Sequence, residues 1–193
     1  CDTMKRLAVF ASGEGSNFEA IAGACAEGRI AAEVVLVVCD RPAARVVARA
    51  AAHGIETFAF DPKGYASKAD YEREIVALLD SRQVDLVCLA GYMRLLSDVM
   101  LDSYEGRIIN IHPSLLPAFK GAHAIEQALE YGVKIYGVTI HYVDRTMDGG
   151  RIISQQAFPY EGHDMAELES MVHALEHELY INTINKLIAE SRI

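Results

Sequence analysis

Short apolar runs alternating with amphipathic stretches restrict this chain more than any other feature. Residues 7–11, 33–39, 56–60 and 84–90 are brief and largely aliphatic or aromatic, as buried strands are. Residues 18–26, 43–53 and 65–81 lie between them with apolar side chains at helical spacing. Strand followed by helix, repeated, implies a mostly parallel twisted sheet with helices on both faces. Further along, 97–104 with Ser97 as cap, 122–131, and 163–189 with Asp164 near its start read as helices, and 107–109, 134–142 and 151–158 as strands. The late strand pair flanks a polar loop around Asp148 and adds an antiparallel edge. The expectation is an α/β fold, one domain over residues 1–193, without repeats or low-complexity linkers.

Composition narrows the function. A net charge of −9 argues against a nucleic-acid partner. No apolar run is long enough to span a bilayer, and the N-terminus lacks a signal pattern. Met4 reads as a natural start, which leaves Cys1, Asp2 and Thr3 as an addition ahead of it. Cys1, Cys25, Cys39 and Cys88 form no C-x-x-C pair and read as reduced thiols of a cytoplasmic protein.

The densest chemistry is Asn-Ile-His-Pro-Ser-Leu-Leu-Pro at 110–117. Proline at 113 and 117 stops the ladder, so Asn110 and His112 are expected at the end of a strand, before a stiff loop. That edge of an open α/β sheet is where ligands bind. An amide donor and a titratable imidazole suit a reaction with a developing oxyanion. A turn asparagine and a capping histidine are the plainer alternative.

Gly13-Glu14-Gly15-Ser16-Asn17 joins the first strand to the first helix. Free N–H groups there suit an anion, with Ser16 or Asn17 as helix cap and about 0.3–1 kcal/mol from the helix dipole. The loop lacks the third glycine of a dinucleotide fingerprint and the lysine of a Walker loop, so a single phosphate fits better than a nucleotide. A plain strand-to-helix turn is the alternative. Arg94, after the central strand, offers a carboxylate or phosphate contact, or is simply solvated; Lys68 reads as surface charge. Asp148 in Met-Asp-Gly-Gly would favour the His112 imidazolium and fix its tautomer if the two met, but the spacing is equally that of an ordinary Asp-Gly turn. His173 to His177 fits H-x-x-E-H, though only sixteen residues follow to supply a third zinc ligand.

Taken together, Gly15-Ser16-Asn17, Ala90-Gly91-Tyr92-Met93-Arg94, the 110–117 motif, His141-Tyr142-Val143-Asp144, Asp148-Gly149-Gly150 and Glu176-His177 with Leu179-Tyr180 resemble the folate-dependent phosphoribosylglycinamide formyltransferases, in family order over nearly the whole chain. The 110–117 motif alone also resembles methionyl-tRNA formyltransferase, but that enzyme would carry an extra C-terminal domain and a basic surface. The resemblance implies a Rossmann-like formyltransferase fold without a metal. It implies glycinamide ribonucleotide at Gly15, Ser16, Asn17 and Glu176. It places 10-formyltetrahydrofolate at Lys68, Met93, Arg94, Leu95, Leu96, Asn110, Val143 and Asp144, in a monomer or homodimer. Asn110, His112 and Asp148 fall on the catalytic trio. Asn110 and His112 would donate to the oxyanion, and Asp148 would raise the His112 pKa. Lys120 and Ile181 stand where the family often has proline. Three rivals are a folate-dependent hydrolase, a non-catalytic binder of small phosphorylated ligands and the zinc peptidase.

Overall fold

A computed structural model describes residues 3–193, so Cys1 and Asp2 lie outside the described residues. The elements in order are β1 (Lys5–Ala11), α1 (Ser16–Ala26), β2 (Ala32–Cys39), α2 (Arg45–Ala52), β3 (Thr57–Ala59), α3 (Lys68–Ser81) and β4 (Leu86–Leu89). They continue with α4 (Asp98–Ser103), β5 (Ile108–His112), α5 (Ala124–Tyr131), β6 (Ile135–Tyr142), β7 (Ile152–Pro159) and α6 (Met165–Ala189). The strands form one sheet in the order β3-β2-β1-β4-β5-β6-β7. The first five are parallel, and β6 runs antiparallel to both β5 and β7. The late strand pair, β6 and β7, thus adds the antiparallel edge expected from the sequence.

Strand order reverses between β1 and β4, the switch point where two loops part and leave a crevice. Two cores lie on opposite faces, because successive strand side chains alternate. On one face Val9, Cys88, Ile109, Ile111 and Ile140 pack with α1, α2, α5 and α6. On the other, Phe10, Val87, Leu89 and Ile108 pack with α3 and α4. Asn110 and His112 share the parity of Ile108 and so belong to the α3/α4 face.

Three local readings change. β5 extends through Asn110 and His112, which pair with His141 and Thr139 of β6. They close the strand, as expected, but the strand runs three residues beyond 109, because the antiparallel partner keeps their backbone paired up to Pro113. The α1 cap is Gly15, with left-handed backbone (φ 74) and no side-chain bond, so Ser16 and Asn17 lie inside the first turn. Ser97 stands at the α4 cap position, but its hydroxyl donates to Glu72 of α3 and caps nothing. Asp164 does cap α6, accepting from Ala166 and Glu167 N–H at 3.0 and 3.3 Å. Lys120 is exposed in the loop before α5, and Ile181 lies within an unbroken α6. Cys25, Cys39 and Cys88 are free thiols, and burial with nearby Glu33 pushes Cys25 up to about 11.

Candidate active site

The anion loop is built first. At Gly15 a side chain would fail twice: φ is positive, and a Cβ would meet Val46 Cγ2 at 2.6 Å. This close approach of α2 holds the 13–15 loop against the first turn of α1. Asn17 is buried, and its Nδ2 donates to Glu176 Oε2 at 2.8 Å; Glu176 Oε1 meets His173 Nδ1 at 3.1 Å. The Asn17 Oδ1 is buried and unpartnered. Gly15, Ser16, Asn17 and Glu176 thus come together. They line a cavity of about 290 Å³ with Ala90, Ile111 and His173.

A second cavity, about 220 Å³, lies against the α3/α4 face. Arg94, Leu95, Leu96, Asn110, Val143 and Asp144 line it, together with residues not expected from sequence, chiefly Leu89, His141 and Met147. Met93 is not among its lining residues and is 71% exposed. Lys68 does not line it either, but its Nζ donates to the Leu95 carbonyl at 2.7 Å, close by. Leu89 and Asn110 face this cavity, while Ala90 and Ile111 face the first. Two cavities on opposite sheet faces therefore share the last residues of β4 and β5.

The 143–151 loop decides where Asp148 goes. It leaves β6 beside Ile108, where Val143 N–H bonds the Ile108 carbonyl at 3.0 Å, then folds back along the sheet face. Arg145 fastens it to α4 through Asp98 (2.9 Å) and Asp102 (2.7 Å). Gly150 has no room for a side chain, since a Cβ would lie 1.7 Å from the Tyr142 carbonyl oxygen. Asp148 itself adopts φ 49, a strained conformation for a non-glycine residue. Its Oδ2 accepts from Gly121 N–H at 2.8 Å, and its Oδ1 stands 3.7 Å from His112 Nδ1. That is ion-pair range and too long for a hydrogen bond. His112 is 6% exposed, and its Nε2–H donates to the Phe119 carbonyl at 2.8 Å.

His141 is the site residue that sequence reasoning passed over. Its Nδ1–H donates to the Tyr142 carbonyl at 2.8 Å, which leaves Nε2 an acceptor for Asn110 Nδ2 at 3.4 Å. Burial, the largest influence, holds its pKa below the ordinary histidine range, so the ring is neutral at neutral pH. Its position opposite Asn110 in the β5–β6 register was the available signal. The site thus offers an oriented amide and an imidazole facing a carboxylate. Beside them lies a loop of free N–H groups. These are parts suited to stabilising an oxyanion and moving a proton, next to the cavity that the 13–17 loop lines. His173 and His177, the zinc candidates, part company: His173 bonds Glu176, and His177 Nε2 is buried without a partner.

Comparison with known proteins places this geometry. Residues 5–184 match the family model described as formyl transferase. The chain is 51% identical to the phosphoribosylglycinamide formyltransferase of Bacillus subtilis over 186 residues, 96% of this chain and 95% of that protein. The crystal structure of phosphoribosylglycinamide formyltransferase from Bacillus halodurans superposes with TM-score 0.92 at 52% identity, covering 97% of each chain. The human trifunctional purine biosynthetic protein adenosine-3 is 39% identical over 91% of this chain, which spans 17% of that longer protein.

Proposed function

This chain belongs to the formyl transferase family, and we propose that it transfers the formyl group of 10-formyltetrahydrofolate to the amino group of glycinamide ribonucleotide. The products are N-formylglycinamide ribonucleotide and tetrahydrofolate, a step of purine biosynthesis. The observation that carries this reading is the pairing of the cavity lined by the 13–17 loop with a second cavity across the ends of β4 and β5. Two substrates bound there would meet over the strand ends.

In this reading the phosphate of the ribonucleotide rests on the N–H groups of Gly15, Ser16 and Asn17, and Glu176 takes its hydroxyls. The folate lies along Leu95, Leu96, Asn110, Val143 and Asp144. Arg94 lies at its anionic tail, with Lys68 and Met93 at the rim. The substrate amine attacks the formyl carbon, and the former formyl oxygen gains charge. Asn110 donates its second amide N–H to that oxygen, the first being held by His141. His112 joins it by exchanging the Phe119 carbonyl for the oxyanion. One such donor is typically worth about 2.7–4 kcal/mol of barrier. Asp148, facing His112 Nδ1, holds the ring proton and organises transfer from the amine to the departing folate nitrogen. No covalent enzyme intermediate is needed.

The test is an absorbance assay of folate deformylation with and without glycinamide ribonucleotide. Turnover that requires the ribonucleotide and yields its formylated product is the expected result. Deformylation that ignores the ribonucleotide and releases formate would make the protein a hydrolase, and binding without turnover would make it a binder only.

A further inference from the structure

We propose that Asp40 is a positioning residue for the formyl-donor site: its carboxylate grips Arg94 through Nε and leaves the two terminal amino groups of the guanidinium poised for a carboxylate on the donor's tail. The inference rests on the folate reading of the cavity that Arg94 lines.

Asp40 follows the last residue of β2, two strands away from the β4 loop that carries Arg94. It is 3% exposed, and its Oδ2 accepts from Arg94 Nε at 3.0 Å. Its Oδ1 is wholly buried and has no partner. A buried carboxylate with one charge-assisted bond and a bare oxygen is costly to keep, and Arg94 is the cation that compensates it. The backbone on either side is already fixed without it. Ser12 N–H bonds the Gly91 carbonyl at 3.1 Å, and Met93 N–H bonds Ser12 Oγ at 2.9 Å. Lys68 holds the Leu95 carbonyl, and Glu72 holds Ser97 N–H. What Asp40 adds is therefore the direction of one side chain.

Three cations stand near this cavity. Arg145 commits Nε and one terminal nitrogen to Asp98 and Asp102, which breaks its fork, and Lys68 has one donor committed to Leu95. Arg94 commits only Nε, so among the described residues no group accepts from its terminal nitrogens. Those nitrogens form the planar fork that matches a carboxylate. Tetrahydrofolate ends in a glutamate with two carboxylates, whereas its pterin and benzoyl parts carry none.

Folic acid and pteroic acid amide, in which an uncharged carboxamide replaces the glutamyl amide, read the effect directly. The parent protein is expected to bind folic acid more tightly. In D40A the ratio of the two dissociation constants should fall about tenfold, through folic acid alone, the equivalent of one good contact. D40N, whose amide oxygen still accepts from Nε, should keep the ratio. With the formyl donor, D40A should raise KM and leave kcat at saturation near the parent value. D40S carries the same comparison if D40A does not fold. An unchanged ratio in D40A, equal weakening of both ligands, or loss of the ratio in D40N overturns the proposal. A parent protein that prefers folic acid yet transfers no formyl group removes the proposed reaction and leaves this inference decided by binding.

Discussion

At the scale of single residues, two histidines on one sheet face do opposite work. His141 is kept neutral by burial and serves as an acceptor for Asn110. His112 faces a carboxylate at 3.7 Å. Asp148→Asn removes the charge and keeps the size and the Gly121 contact. Formyl transfer should fall roughly 10²–10⁴-fold, while the ribonucleotide, whose proposed cavity lies across the sheet, should keep its affinity by calorimetry. Transfer at the parent rate would end the assignment of the trio. His141 also has a signature in stability. Its folded pKa lies below the ordinary 6.5, so its contribution is full above that pH and is lost as pH falls through the lower folded value. His173 runs the other way: the Glu176 bond raises its pKa, so its contribution is present at low pH and lost as pH rises through the raised value. His141→Asn should flatten the decline of the urea midpoint as pH falls below about 6.5, the unperturbed histidine value. Neither the His112 nor the His141 role follows from its neighbours in sequence alone, since both depend on groups contributed by other segments.

At the scale of elements, helix starts separate what is local from what is not. Asp164 and Ser67 cap α6 and α3 with their own side chains, as short-range chemistry dictates. The α4 start is different. Glu72, 1% exposed on α3, accepts from Ser97 N–H, the Ser97 hydroxyl and Met100 N–H, replacing a local cap by one from another helix. This ties α3 to α4 and anchors the loop that carries Arg94. Glu72→Ala strands those buried donors and should cost about 2–4 kcal/mol, read as a shift in the guanidinium midpoint. A loss within a few tenths would mean water replaces the carboxylate. Strands show the same division. Prolines at 113 and 117 were legible as breakers, yet β5 reached His112 because β6 lies beside it with antiparallel bonds.

At the scale of the molecule, α6 closes one face and joins both cavities to the fold. It buries Leu168, Val172, Leu179, Tyr180, Ile184 and Leu187, and its Tyr180 hydroxyl donates to the Leu89 carbonyl at 2.8 Å beneath the shared strand ends. Six such side chains contribute on the order of 10 kcal/mol, comparable with the roughly 5–15 kcal/mol that stabilise a whole domain. Deleting residues 165–193 should therefore abolish the cooperative thermal transition, and a truncated chain that still melted cooperatively would contradict this. The alternation of apolar runs with amphipathic segments determined the parallel sheet and its two helical layers, because period and burial are properties of neighbouring residues. The same local chemistry marked the glycine loop, the Asn110–His112 pair and Asp148 as candidates. Only the tertiary structure decided that the 143–151 loop folds back over β5, that His141 orients Asn110, and that Asp40 reaches Arg94 from two strands away. Those contacts join segments far apart along the chain, and their energies come from buried charges and shared hydrogen bonds that exist only once the layers have packed.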